Sequence, residues 1–376
     1  MNALIIYSAR VVANVLESSW QAAVLAVVVV LLGLLLRERL SARWRCALWL
    51  VVVARLLMPV APESRLSLFN LLPVDLAAAS DESPGEPAAP VAAAPMPAFD
   101  PYAPGGLSPF LRQDGQFAES VDPSAAKMER SPSADEPAAW LTAQNVWLAV
   151  AAAWLAGVVL LAARMAVLSS RLRRLLRGCR PVESARVADV FEAARRELGV
   201  RRRVELLASP LRVGPAVAGS LRTKMILSET LFDVLSADEL RLVFLHELSH
   251  VRRHDLLVQH LWTLAKMLHW FNPAVWLSAR RWQTDRELAC DEAVLSLLDR
   301  PHQAGYGRAI LRVMESLSSF HPVPGAVGVV MGRGFLTRRI SKIARYRPLS
   351  RRWTALAVAL VLLLIPAGLT NAVGKS

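Results

Sequence analysis

The sequence predicts an α-helical membrane protein with four transmembrane helices and one cytoplasmic α+β domain. Three observations carry that expectation. The 376-residue chain is 54% hydrophobic with a mean hydropathy of +0.35, more apolar than a soluble globular protein. Charge-free apolar runs recur along it, at lengths suited to ~30 Å of hydrocarbon. Basic residues crowd one flank of each run, whereas acids collect between the second and the third.

The first run covers residues 20–36. Residues 3–19 are mostly apolar but carry Arg10 and Glu17, and either extend the span or lie at the interface. No basic region precedes them, so a cleaved signal peptide is not expected. Residues 46–61 form a shorter run with Arg55 at its middle. As a span it must turn that arginine toward other helices or water; the alternative is a buried or interfacial helix. Residues 1–61 together read as an amino-terminal transmembrane pair. Residues 62–139 are rich in Pro and Ala, with four basic and twelve acidic residues. They read as an extracytoplasmic loop, largely disordered, in which Phe99, Tyr102, Phe110 and Phe117 are sparse aromatics of a tether rather than a partner's handholds. The third span falls within residues 140–163. The fourth falls within 353–376, where Pro366 near its end is tolerated.

Charge sets the orientation. Residues 37–45 hold four arginines and one glutamate, 164–180 six arginines and no acid, and 338–352 seven Lys or Arg and no acid. The positive-inside rule places these segments, and residues 164–352 with them, in the cytoplasm of an inner-membrane protein. That alternation needs all four spans, which argues for the short one. The net charge of +13 then has the lipid bilayer as its partner, because basic side chains beside spans meet anionic headgroups. The run Arg171-Leu172-Arg173-Arg174-Leu175-Leu176-Arg177 lacks interleaved aromatics and reads as a helix lying on the bilayer. No direct nucleic-acid contact is expected. Cys46, Cys179 and Cys290 lie in or next to the cytoplasmic side and imply no disulfide framework.

Within 164–352, residues 185–198 have helical spacing ended by Gly199. Residues 204–208, 213–217 and 224–227 are short β-prone runs separated by Pro and Gly. The run 213–217 contains Pro215, which suits an edge strand that could pair with an extended substrate. Ser236-Ala237-Asp238-Glu239 is a capping box that starts the next helix, with Leu240, Val243, Phe244 and Leu248 as its apolar stripe. Residues 256–277 are strongly apolar. A fifth span there would put Glu287 and His246 on opposite sides, so an interfacial or packing helix is expected. Asn272-Pro273 caps the helix after it.

The capped helix carries His246-Glu247-Leu248-Ser249-His250. Its two histidines stand one turn apart on one face. That spacing lets two neutral imidazoles grip one Zn²⁺, with Glu247 beside the open position. With 7 histidines in 376 residues, accident would give such a motif only ~0.006 times. Thirty-seven residues on comes Glu287-Leu288-Ala289-Cys290-Asp291, whose two acids share a helix face. The motifs read as a zinc metallopeptidase.

Further residues carry a family resemblance. The zinc motif with Arg253-His254-Asp255 after it, the Asn272-Pro273 break, the signature Arg286-Glu287-Leu288-Ala289-Cys290-Asp291, and residues 219–227 and 335–343 resemble the BlaR/MecR-type antirepressor membrane metallopeptidases. The resemblance covers roughly residues 1–370, the acidic loop excepted, and its paired motifs are specific for a gluzincin-like membrane peptidase. It implies His246, His250 and Glu287 as zinc ligands and Glu247 as general base. Asp291 is then expected to orient a ligand imidazole through its other nitrogen, and Asp255 is a second choice for that role. His254, His260, His269, His302, His321, Tyr306 and Arg308 are weighed as oxyanion donors, each more simply structural or at the surface. Cys290 is read as a packing residue.

The resemblance implies a protein substrate, a winged-helix transcriptional repressor, with self-cleavage near residues 325–334. The best-known members continue into an external penicillin-binding sensor with a Ser-x-x-Lys motif. The sequence ends at Ser376, so that sensor is not expected here. The signal would enter through the acidic loop, a separate sensor protein or the bilayer, and a homodimer stays open. Two rivals are a quality-control membrane peptidase and a non-catalytic transducer with structural zinc. Glu247 speaks against the second, since a structural site needs no base.

Overall fold

Helices dominate the computed structural model, which describes residues 2–36, 39–58, 60–71, 143–316, 327–328, 333–348 and 350–373. The acidic loop from residue 72, its four aromatics, His321 and most of residues 325–334 lie outside the described residues. In chain order the first elements are α1 (Asn2–Leu35), α2 (Ala42–Leu57), a 3₁₀ turn (Leu68–Leu71) and α3 (Ala143–Arg177). Next come β1 (Arg180–Pro181), α4 (Ala185–Glu197), β2 (Val204–Ser209), β3 (Ala216–Ala218), β4 (Thr223–Ser228) and α5 (Glu229–Val234). Then follow α6 (Ala237–Arg252), α7 (Asp255–Leu268), α8 (Pro273–Leu295), α9 (Arg300–Ser316), β5 (Val327–Gly328), α10 (Arg333–Ala344) and α11 (Arg351–Leu369).

Among the described residues three helical segments are long and apolar enough to cross a membrane: Arg10–Leu35, Asn145–Arg177 and Arg351–Leu369. Helix α2, with 16 residues, is shorter than these. It packs between α1 and α11 through Leu25, Val29, Leu48, Val51, Val52 and Leu364. Gly368 permits the approach of α11, since a Cβ there would stand 3.0 Å from Leu25 and 3.5 Å from Val51. Arg55 is buried, and its guanidinium donates to Gln21 and, at 2.7 Å, to Asn371. Residues 2–19 belong to α1 without a break.

The arginine run 171–177 differs from expectation. It is the last part of α3, with no break between residues 163 and 177. No Gly or Pro interrupts that stretch, so the helix continues to Gly178. Its Leu172, Leu175 and Leu176 pack against Val213, Ala218 and Ile226 of the sheet region.

The five-stranded sheet has the order β1-β2-β4-β3-β5. Strands β2 and β4 are parallel, with Val204 opposite Thr223 and Ser209 opposite Ser228, and the other pairs are antiparallel. Strand β3 is therefore not an edge: Ala216 and Val217 pair with β4 on one side and with residues 328 and 327 on the other. Pro215 lies just before β3, so its missing N–H interrupts neither ladder. Gly219, after β3, has φ +83, and a Cβ there would meet the Arg222 carbonyl oxygen at 2.3 Å, so the turn into β4 requires glycine.

Helix α6 runs beneath this sheet. Its capping box is formed, with the Ser236 hydroxyl accepting from the Glu239 N–H and the Glu239 carboxylate from the Ser236 N–H. Phe244 of α6 meets Phe191 of α4 edge to face, 5.4 Å between centroids, in a core that also takes in Leu240, Leu248, Val217 and Leu227. A second core joins α1, α2 and α11 to α7 and α8 through Trp262, Ala265, Val275, Ala279 and Trp282. The apolar run 256–277 is broken after Leu268. Asn272 caps α8, its Oδ1 accepting from the Ala274 N–H at 2.9 Å, and Pro273 takes the first turn.

Candidate metal centre

Two helices supply the centre. On α6, His246 and His250 are one turn apart with rings perpendicular and centroids 5.2 Å apart. On α8, Glu287 faces them: its Oε2 lies 3.5 Å from His246 Nε2 and 3.9 Å from His250 Nε2. One ligand atom from each of the three falls within 4.8 Å of the others, and all three side chains are buried. Among the described residues, His246 Nε2 and Glu247 Oε2 are buried with no hydrogen-bond partner. A buried imidazole nitrogen without a partner costs free energy that a metal ion at that point would recover. The donor set of two imidazoles and a carboxylate fits such an ion.

Each of the three is held by its other atoms. His250 Nδ1 donates to Asp255 Oδ2 at 2.8 Å, which leaves Nε2 with its lone pair toward Glu287. Asp255 reaches back because His254, between α6 and α7, adopts φ 57 and turns the chain sharply. His246 Nδ1 lies 2.9 Å from the Tyr306 hydroxyl and 3.2 Å from Asp291 Oδ1. Tyr306 donates to Asp291 at 2.6 Å, so the imidazole N–H donates to the phenol oxygen and the phenol to the carboxylate. Arg339 of α10 closes the chain, donating to both Asp291 oxygens at 2.9 and 2.7 Å. Arg286 donates to Glu287 Oε1 from Nε (3.1 Å) and Nη2 (2.6 Å), which turns Oε2 to the histidines, and Gln259 accepts from Arg286 Nη1.

The electrostatics follow from these partners. Burial opposes ionisation of Glu287, and the adjacent Arg286 outweighs it, holding the carboxyl well below its usual range. Asp291 is buried too, and Arg339 and His246 keep it ionised. Burial disfavours a charged His246, yet Asp291 and Glu287 raise it to about 9. A place that draws a proton between His246 and Glu287 also suits a cation. Burial pushes Glu247 up, against the pull of both imidazoles.

His250, Asp255 and Cys290 form a second group of ligand-type atoms. There His250 would have to offer Nδ1, already bonded to Asp255. Burial and the Asp255 charge also push the Cys290 thiol well above its ordinary value, so it stays protonated. The group acts as a support for His250.

The structure thus brings together His246, Glu247, His250, Glu287, Asp255 and Asp291. Other histidines are engaged elsewhere: His260 with the Leu256 carbonyl, His269 with the Leu56 carbonyl at 2.9 Å, and His302 with Asp299. Arg308 is exposed. Tyr306 lies behind His246 rather than at the open side. Arg286 and Arg339 have no counterpart in the sequence reading. Arg286 lies inside the 286–291 signature, where spacing gives it no role, and Arg339 is one of seven basic residues in the run 338–352.

A family model described as BlaR1 peptidase M56 matches residues 13–343. The chain is 30% identical over 201 residues to the regulatory protein BlaR1 of Bacillus licheniformis, which is 53% of this chain and 33% of that one. It is 33% identical over 164 residues to the methicillin resistance mecR1 proteins of Staphylococcus aureus and Staphylococcus epidermidis, 42% of this chain and 28% of theirs. The chain spans about a third of the length of the curated relatives it matches. With the family model covering most of its residues, this chain belongs to the BlaR1 peptidase M56 family.

Proposed function

We propose that the chain is an integral membrane zinc endopeptidase that relays an envelope signal by cutting a cytoplasmic protein. The observation that carries it is the convergence of His246, His250 and Glu287 atoms within 4.8 Å, with His246 Nε2 and the adjacent Glu247 Oε2 buried and without hydrogen-bond partners. His246 Nε2, His250 Nε2 and Glu287 Oε2 would hold the metal, and two imidazoles with one carboxylate favour zinc. Bound zinc supplies Lewis-acid chemistry, acidifying water and polarising a peptide carbonyl. Glu247 carries the proton: its carboxylate takes one from the attacking water as the C–O bond forms and hands it to the amide nitrogen as the C–N bond breaks. Burial raises the Glu247 pKa, which favours its holding the proton between the two steps. Asp255, and Tyr306 with Asp291, fix the imidazoles, and Arg286 fixes the carboxylate.

In this reading α1, α2, α3 and α11 are four spans of the inner membrane, with residues 164–352 in the cytoplasm and 62–139 outside. The short α2 serves as a span because α1 and α11 flank it and Arg55 turns its Nη2 to Gln21 and Asn371 rather than outward. The substrate is a transcriptional repressor, in keeping with relatives named as a regulatory protein and as methicillin resistance proteins. The test compares new protein amino termini in cells carrying the native chain or Glu247→Ala, with and without cell-wall stress. Fragments of one DNA-binding repressor that need the native chain support the proposal. Fragments of many unrelated membrane proteins would replace it with quality control, and unchanged signalling by Glu247→Ala would replace it with a binding transducer.

A further inference from the structure

Helices α7 and α8 form a hairpin whose tip is bonded to three of the apolar helices. The Asn272 side-chain amide donates to the Ser19 carbonyl at 3.0 Å and to its hydroxyl at 2.7 Å. His269 Nε2 donates to the Leu56 carbonyl, Trp154 Nε1 to the Leu268 carbonyl at 2.8 Å, and Trp270 Nε1 to the Trp154 carbonyl at 3.2 Å. These partners lie far along their helices. Ser19 precedes Leu35, the end of α1, by 16 residues, which is ~24 Å of helix. Leu56 follows Ala42, the start of α2, by 14 residues, or ~21 Å. Trp154 precedes the first arginine of α3, Arg164, by ten residues, or ~15 Å. Three independent helices thus put the tip deep within the ~30 Å hydrocarbon layer that they would cross.

The hairpin's free face matches that level. Leu257, Leu264, Trp270, Phe271 and Leu277 are exposed at 56, 45, 36, 37 and 52%. At the turn the Leu268 and Trp270 carbonyls accept from the Trp154 and Trp276 indoles, and the Asn272 amide and His269 Nε2 point inward to partners, as a lipid environment favours. Lys266 lies over the Trp276 ring at 5.4 Å, and the exposed Arg280 and Arg281 sit toward the base, where long basic side chains reach headgroups.

We infer that α7–α8 is a re-entrant hairpin, entering and leaving the bilayer on one side, with lipid acyl chains covering its outer face. This rests on the reading of α1, α2 and α3 as spans. It makes the helix that carries Glu287 a partly membrane-embedded element.

The test attaches nitroxides to full-length protein in phosphatidylglycerol–phosphatidylethanolamine vesicles, at Leu264→Cys, Phe271→Cys or Leu277→Cys. Cys46 and Cys290 are buried, so only Cys179→Ser is needed in the background. Leu160→Cys on α3 is the lipid control and Leu221→Cys, 92% exposed in the turn before β4, the water control. Collision with oxygen against a water-soluble nickel chelate is measured. The inference expects all three hairpin sites to match Leu160 and to exceed Leu221 several-fold in the oxygen-to-nickel ratio. Hairpin sites that match Leu221 while Leu160 reads as lipid would overturn the hairpin alone. A water-exposed Leu160 would overturn the spanning reading and the hairpin with it. Shielding from both reagents, with dipolar broadening between labels, would show a second copy of the chain in place of lipid and overturn the acyl-chain cover.

Discussion

Arg339 grips both oxygens of Asp291, at 2.9 and 2.7 Å, from the helix that immediately precedes α11. Asp291 in turn anchors Tyr306, and Tyr306 meets His246. The His246 imidazole is thus tied by three successive hydrogen-bonded contacts to the segment leading into the last apolar helix. Arg339→Ala would strand a buried carboxylate. Its cost is expected at about 3–5 kcal/mol of unfolding free energy, with Arg339→Lys losing less because it keeps the charge but not the fork. Chemical denaturation of the purified protein measures it, and a change inside error would remove Arg339 from the support of Asp291.

Tyr306→Phe deletes one hydroxyl and little volume. His246 then loses its nearest partner at Nδ1, and zinc affinity is expected to fall about 10–100-fold while the fold is retained. Competition with a chromogenic chelator reads the affinity. An unaltered constant would mean that Asp291 alone orients the ring.

Glu247→Gln keeps shape but cannot take a proton. Zinc content should stay near the native value, whereas peptide cleavage falls by about 10²–10⁴-fold. Metal analysis and a cleavage assay on the same preparation separate the two effects. Retained cleavage would assign the base elsewhere.

Arg45 and Trp49 of α2 both donate to Asp285 of α8, at 2.8 and 3.1 Å, and the α2 amino terminus donates to Glu292 through the Ala42 N–H. A double-mutant cycle with Arg45→Ala and Asp285→Ala is expected to show about 0.5–3 kcal/mol of coupling in stability. Coupling near zero would make the pair a bystander.

His254 holds φ 57, a conformation that favours glycine. His254→Gly should leave zinc affinity unchanged and raise stability by up to about 1 kcal/mol, whereas His254→Val should weaken both. Loss of zinc in the glycine variant would show that the imidazole itself serves the centre.

What was legible in the sequence was what local spacing encodes. The capping box at Ser236, the pairing of His246 with His250 and the Asn272-Pro273 start of α8 each depend on residues within one helical turn. Glu287 is legible only through the 286–291 signature and the family resemblance that this signature carries. Arg339 did not, because nothing near it in sequence distinguishes a buried arginine from its exposed neighbours. Strand β3 was read as an edge because its outer partner lies more than a hundred residues away. The arginine run was read as a surface helix because periodicity does not record that Leu172, Leu175 and Leu176 have a sheet to cover.

The proposed ligand set draws on two apolar cores of one compact unit. Helix α6, with both histidines, is rooted in the core beneath the sheet, whereas Leu288 and Ala289, next to Glu287, belong to the core shared with α1, α2 and α11. Helix α8 itself bridges the two, since its Val294 and Leu295 pack into the core beneath the sheet. The side chain of Glu287 thereby stands where the packing of the apolar helices meets the packing beneath the sheet.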